Sequence, residues 1–430
     1  MDTIRGLMEF IDRVPTAFHA VKEIATALES AGYARLSEGE RWALRSGGRY
    51  YVTRNQSSII AFRLPETGVG HFQVVASHGD SPSFKLKPAF SESAEGCALV
   101  NVEKYGGMLM STWLDRPLSV AGRLVVSGAD GLETRLVNLD SDVALIPNLP
   151  IHFNRNANDG VALNAQVDML PIVGMEGADL LAAVAESAGV EKDAVAGADL
   201  FLYNRQRAGV FGVDSAFIAA PRLDDLECAY TSLRAFLQAE PGSHTDVLCV
   251  FDNEEVGSGT RQGAESAFLL ETLRRVVRTV EGDPQALESV LARSFMVSAD
   301  NAHAAHPNHA EKYDKDNRVR MNGGVVIKSN ASQKYATDGL SAALFARVCE
   351  EAGVPVQRFS NRSDIAGGST LGNIAVTSVS MPAVDIGLAQ LAMHSACETA
   401  GVRDVDYMVK ALRAFYEAEI SIKEGSAELT

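Results

Sequence analysis

The sequence predicts an α/β protein, a mixed sheet flanked by helices and interrupted by a β-rich insertion. Three observations carry this. Short apolar runs alternate with stretches of helical periodicity near both ends of the chain, the pattern of a sheet covered by helices. From about residue 91 to 213 the pattern changes to short alternating runs broken by turn signals such as Gly128-Ala-Asp-Gly and Asn158-Asp-Gly. Acidic and histidine residues stand directly after several of the apolar runs, where an open α/β sheet places its ligands.

In chain order, residues 3–32 read as helical, with Ile4, Leu7, Met8 and Ile11 on one face and Val21, Ile24, Ala25 and Leu28 on the next; Pro15 breaks the run. Strands are expected at 71–76, 245–251, 294–298 and 382–386, and helices at 226–238, 264–281, 339–352 and 404–424. The insertion is mostly β, with runs starting at Leu118 and Thr134 and one helix near 179–187. The tail from Gly425 to Thr430 is expected to fray. This divides the chain into 1–90 plus 214–430 and an inserted 91–213. There is no internal repeat.

Composition narrows the classes. Its 430 residues suffice for about two to three domains. A hydrophobic fraction of 46% with 22% charged residues fits a globular chain. No apolar run approaches the roughly 18 residues of a membrane helix, and the start, Met1-Asp-Thr-Ile-Arg, lacks an apolar signal core. The net charge of −16 disfavours nucleic acid and anionic lipid. Five cysteines without a CxxC pair argue against a disulfide framework, a zinc ribbon or a redox pair. A cytoplasmic protein is expected, with no membrane and no nucleic-acid partner. Phosphate loops are absent, as is a GxSxG elbow.

The chemistry concentrates at strand ends. Phe72-Gln-Val-Val-Ala-Ser runs into His78-Gly-Asp80, Val247-Leu-Cys-Val-Phe into Asp252-Asn-Glu254-Glu255, and Phe295-Met-Val-Ser-Ala into Asp300. Phe217-Ile-Ala-Ala-Pro-Arg-Leu ends on Asp224-Asp225, and Val384-Asp-Ile-Gly leads to His394. Such His, Asp and Glu residues suit Zn²⁺, Mn²⁺ or Co²⁺, and the lack of cysteine argues against a closed structural zinc site. Each has a plainer reading. Asp after a strand is often turn chemistry, and His394, after an apolar run, reads by itself as a core histidine.

Taken together, Ser77-His78-Gly-Asp80-Ser-Pro, Arg222-Leu-Asp224-Asp225, Phe251-Asp-Asn-Glu254-Glu255-Val-Gly-Ser, Ser298-Ala-Asp300-Asn-Ala-His303-Ala-Ala-His306-Pro-Asn and Leu388-Ala-Gln-Leu-Ala-Met-His394-Ser resemble the motifs of the aspartyl aminopeptidases, dinuclear zinc exopeptidases. Supporting stretches lie at Phe10-Ile-Asp-Arg-Val-Pro, Ser111-Thr-Trp-Leu-Asp-Arg, Gly323-Gly-Val-Val-Ile-Lys328 and Gln333-Lys-Tyr335-Ala-Thr, so the likeness spans roughly residues 9–400. Gly79, where many members carry a hydroxyl residue, and Asp225, where Asn is frequent, depart from the pattern.

The resemblance implies a zinc-exopeptidase type of α/β sheet with an inserted dimerisation domain. It implies two divalent ions, zinc before manganese or cobalt. One would be held by His78, Asp224 and Asp300, the other by Asp224, Glu255 and His394, with Asp224 bridging. Glu254 would be the general base toward a metal-bridged water, Asp80 would orient His78, and His152 would reach the oxyanion across a subunit interface. Lys328, with His303 and Tyr335, would line the substrate pocket and favour an acidic first residue of a short peptide. Family members build dodecamers from dimers, so a homo-oligomer is implied. The alternatives are the same mechanism with a neutral first residue such as Leu, a deacylase using the same metals, or a scaffold that kept the fold without catalysis.

Overall fold

The computed structural model describes residues 2–283 and 285–429. Among these, the largest sheet has nine strands. In spatial order they are Ala34–Leu36, Arg49–Arg54, Ser58–Arg63, Thr245–Phe251, Phe72–His78, Phe295–Ala299, Ala383–Gly387, Val325–Lys328 and Val356–Phe359. The four strands expected from the sequence lie side by side at its centre and run parallel. Their carboxyl ends therefore share one edge.

These strands are apolar throughout because both faces are covered. Successive side chains point to opposite faces, so Val75 joins one buried cluster with Ile24, Leu226 and Phe415, while Val74 joins another with Phe62, Phe268 and Leu273. The covering helices include Leu223–Gln238, Phe268–Val280, Gly339–Glu351 and Val402–Glu417, each close to its expected place. The expected helix at 3–32 is two helices, Asp2–Arg13 and Ala17–Ser30, separated at Pro15.

One expectation at the end of the chain is corrected. The last helix stops at Glu417, and Ile420–Lys423 pairs with Ser426–Leu429 as a hairpin in place of the longer helix and frayed tail. Ile420 and Ile422 are buried with an exposed residue between them, a period of two that a helix cannot satisfy. Gly425 turns the chain at φ 74°. Thr430 lies outside the described residues.

A second, antiparallel sheet of six strands draws on Ser83–Ala94, Cys97–Tyr105, Leu118–Gly128, Gly131–Asn138, Ile172–Met175 and Val195–Asn204. It has its own cluster, with Phe84, Trp113, Val120 and Leu202. Its helix, Leu180–Ser187, starts where Asp179 accepts a hydrogen bond from Ala182 N at 3.0 Å. A small five-stranded sheet joins Gly209–Phe211, Phe217–Ala220, Glu398–Gly401, Ala389–Leu391 and Ala302–His303. It carries the chain into three of the loops discussed next.

Candidate metal centre

The parallel register sets His78 beside Phe251, so the loop after each strand starts at the same level. Gly79 N donates to Phe251 O at 2.9 Å, tying the two loops. A Cβ on Gly79 would meet Ala20 Cβ and Val250 Cγ1 at 3.3 Å, close enough that glycine relieves a tight contact. The hydrogen bond to Phe251 anchors the backbone there without a larger side chain.

The structure brings the side chains at these strand ends into overlapping groups whose ligand atoms lie within 4.8 Å of one another: His78, Asp224, Asp225 and Asp300; His78, Glu254 and Glu255; and Asp224, Glu255 and His394. His78 Nε2 is 3.7 Å from Asp224 Oδ1. His394 Nε2 is 3.4 Å from both Asp224 Oδ2 and Glu255 Oε2. Asp224 thus has a histidine near each of its oxygens. His394 is not a core histidine. Its backbone is left-handed at φ 66° and its side chain is 32% exposed.

Asp80 works on two fronts. Its carbonyl oxygen lies 3.1 Å and its Oδ1 3.4 Å from His78 Nδ1, which leaves Nε2 for the cluster. Its carboxylate accepts from Glu254 N and Glu255 N at 3.2 Å each, and from the Tyr105 hydroxyl at 2.7 Å. Tyr105 ends a strand of the six-stranded sheet.

The electrostatics favour cations. Five carboxylates and two imidazoles meet in a largely buried space. The nearest lysine, Lys328, has its Nζ 3.7 Å from Asp300 Oδ1. Burial, then the neighbouring carboxylates Asp300, Asp80 and Asp224, push Glu254 up to about 8 against the pull of His78. Burial and Asp224 raise Glu255 as well. Burial disfavours the charged form of His78, but the Asp225 charge and the Asp80 contact outweigh it and raise the ring. Asp224 Oδ1 and Glu255 Oε1 are buried without any hydrogen-bond partner. Unpartnered buried carboxylate oxygens are costly unless a metal takes them, so these residues fit divalent ions.

The other expected site residues fall in different places. Lys328 is 2% exposed, in a strand paired on both sides, and not an edge lysine. Its ammonium donates to Asp300 O at 2.7 Å and Asn301 O at 3.3 Å, and lies 5.3 Å from the centre of the buried Tyr335 ring. His303 is exposed, with its ring centroid 6.1 Å from that of Phe359. His152 is exposed in a loop flanked by the outward-facing Ile151 and Phe153, and is not among the residues of these groups. A cavity of about 580 Å³ lies between the two larger sheets, with Asp80 and Asp224 on one wall and Lys85 and Phe201 on the other.

Three residues with a part in the cluster were not singled out as site residues from the sequence. Asp225, noted only as a charge difference, brings its carboxylate to the His78 group and accepts from His78 N at 3.1 Å. Glu398 accepts from the backbones of two cluster residues, and Tyr105 holds Asp80. A buried-strand Glu four residues after His394 was the available signal for Glu398. Tyr105 offered none.

A mixed α/β sheet with histidine and carboxylate groups gathered at its parallel strand ends is the fold and site of a metallohydrolase of the zinc-exopeptidase type. Residues 10–416 match the family described as aminopeptidase I zinc metalloprotease (M18). A probable M18 family aminopeptidase 2 of Clostridium novyi is 44% identical over 421 residues, covering 95% of this chain and 97% of that relative. One from Pseudomonas aeruginosa is 44% identical over 425 residues, covering 96% and 97%. Among solved structures, the S. cerevisiae mApe1 dodecamer is similar with a TM-score of 0.86 at 30% identity, covering 96% of each chain. An M18 aminopeptidase from Thermotoga maritima has a TM-score of 0.85 at 26% identity, covering 96% and 95%. The chain belongs to the M18 family of zinc metallo-aminopeptidases.

Proposed function

We propose that this aminopeptidase holds two divalent ions, zinc before manganese or cobalt, and removes an N-terminal Asp or Glu from short peptides. One observation carries the dinuclear reading. Two ligand sets, His78–Asp224–Asp300 and Asp224–Glu255–His394, meet at Asp224, which faces both histidines. Two cations there would supply Lewis acidity, lowering the pKa of a water and polarising the scissile carbonyl.

The chain's own groups supply the rest. Glu254, beside the ligand Glu255, takes a proton from the attacking water and returns it to the leaving amine. Asp80 keeps the His78 ring turned. His152 reaches the oxyanion of a neighbouring copy's site; its exposure on an apolar loop supports a role across an interface.

Assembly follows from the same surface. The six-stranded unit exposes Leu132, Phe153, Val167 and Met175 at 70% or more, large apolar side chains that a contact with another copy would cover. With the dodecamer of the yeast relative, this supports a homo-oligomer built from dimers, in which the inserted 91–213 region is the dimerisation domain and 1–90 plus 214–430 the peptidase domain. Among the described residues no helix is long and apolar enough to cross a membrane. The five free cysteines suit a reducing compartment, which favours the cytoplasm.

A second reading of specificity has its own support. Lys328 already donates to two backbone carbonyls; in this reading its charge serves Asp300 alone and leaves a pocket for neutral residues such as Leu. Initial rates on Asp-, Glu-, Leu- and Ala-initiated dipeptides decide between them, with free and acetylated N-termini, after chelation and after re-adding each metal. We expect metal-dependent cleavage of the free-amine acidic peptides, lost selectively in Lys328→Leu. Preference for Leu or Ala would assign Lys328 to Asp300. Cleavage of the acetylated peptides would mean a deacylase, and no cleavage by the assembled, metal-loaded protein would mean a scaffold.

A further inference from the structure

We propose that Glu398 is a positioning residue that fixes Asp224 and His394 for metal binding; this rests on the ligand assignment above. Glu398 is 1% exposed and opens the strand Glu398–Gly401. It pairs with Ala220, the last residue of the strand that leads through Arg222 to Asp224. Its Oε2 accepts from Asp224 N at 3.0 Å, and its Oε1 accepts from His394 N at 2.6 Å. One carboxylate therefore clamps two ligand loops that arrive from distant parts of the chain.

Both loops need a clamp. Arg222, two residues before Asp224, has φ 59°, and His394 has φ 66°, left-handed conformations that non-glycine residues adopt only when the surroundings hold them there. The side-chain chemistry is matched to the task. Both partners are N–H donors, so both acceptors must be oxygens, and the amide of a glutamine would turn a donor toward one of them. No cation lies within ion-pairing distance of Glu398 among the described residues, so charge neutralisation does not explain a buried carboxylate here. The contacts to Asp224 and His394 do.

The His394 loop has other anchors. Leu109 N donates to His394 O at 3.0 Å, Ala396 N to Thr112 Oγ1 at 2.9 Å, and Asn204 Nδ2 to Ala396 O at 2.8 Å. Losing the Glu398 clamp should therefore loosen the ligands without unfolding the loop. Residues that orient metal ligands typically change metal affinity by about 10- to 100-fold when replaced.

The test titrates zinc into the metal-stripped, assembled protein by calorimetry, for the wild type, Glu398→Gln and Glu398→Asp, alongside thermal unfolding of the metal-free forms. We expect Glu398→Gln to bind at least one zinc equivalent about tenfold or more weakly, with a metal-free Tm close to wild type. Its kcat should recover as zinc is raised, and Glu398→Asp should lie between. If Glu398→Gln does not fold, the same readouts on Glu398→Asp decide. Unchanged zinc affinity in the folded variants, or a lost kcat that no zinc concentration restores, would overturn the proposal. If Asp224→Asn and His394→Ala also bind zinc like the wild type, the ligand assignment itself fails and takes this proposal with it.

Discussion

The nine-stranded and six-stranded sheets solve different problems with the same backbone. In the first, every residue of Phe72–His78 and Thr245–Phe251 is buried, because helices cover both faces. In the second, residues 97–102 alternate between partly exposed and buried positions, and residues as large as Phe153 remain 81% exposed in the surrounding loops. The first sheet brings histidines and carboxylates together at its strand ends, while the unit around the second leaves large apolar side chains in solvent. Yet they are not independent. Tyr105, Leu109 and Thr112 reach from the six-stranded unit to Asp80 and to the His394 loop. The candidate metal cluster lies where the nine-stranded and five-stranded sheets meet and is braced by the six-stranded one.

That contrast can be broken in graded ways. The largest effect is expected from Asp224→Asn, which takes away the ligand common to both sets. Metal content measured by mass spectrometry should fall for both ions, and kcat/KM should drop to background. Glu254→Gln comes next: full metal content with kcat reduced by about 10²- to 10⁴-fold. Retained turnover at full occupancy would remove Glu254 as the base.

Phe153→Asp probes the other sheet. Light scattering should report a smaller particle, and metal content should stay at the wild-type level. Activity should fall through the loss of His152 from neighbouring copies. Mixed oligomers of His152→Ala and Glu254→Gln subunits should then regain some of it, and no regain would place His152 outside the reaction. The smallest effect is expected from Tyr105→Phe, which deletes the hydroxyl that Asp80 accepts. A loss of about 1 kcal/mol in stability, read by denaturant unfolding, and a modest fall in kcat would show that the brace matters. No change in either would make the two sheets separable.

Much of this was legible in the sequence where burial is two-sided. The four central strands read as apolar runs, and His78, Asp300 and the Glu254–Glu255 pair stand out at their ends, where the structure brings their side chains into one cluster. What stayed hidden acts through the backbone or across the fold. Glu398 holds main-chain N–H groups, a role that its place four residues after His394 does not reveal by itself, and Tyr105 touches Asp80 only once the two sheets are docked. Asp225 was visible as an extra charge, but its approach to His78 depends on the turn before the helix. The terminal hairpin was missed because Ile420 alone, four residues after the buried Tyr416, continues the apolar face of the preceding helix. Lys328 was found, but its burial and its bonds to Asp300 and Asn301 come from the paired strands on both sides.

The most direct test of the central claim is a crystal structure of Glu254→Gln soaked in zinc, with anomalous data collected at the zinc edge. The account predicts two peaks per chain about 3.5–4 Å apart, one beside His78 and Asp300 and the other beside Glu255 and His394, with Asp224 between them. A single peak, or peaks away from Asp224, would contradict it.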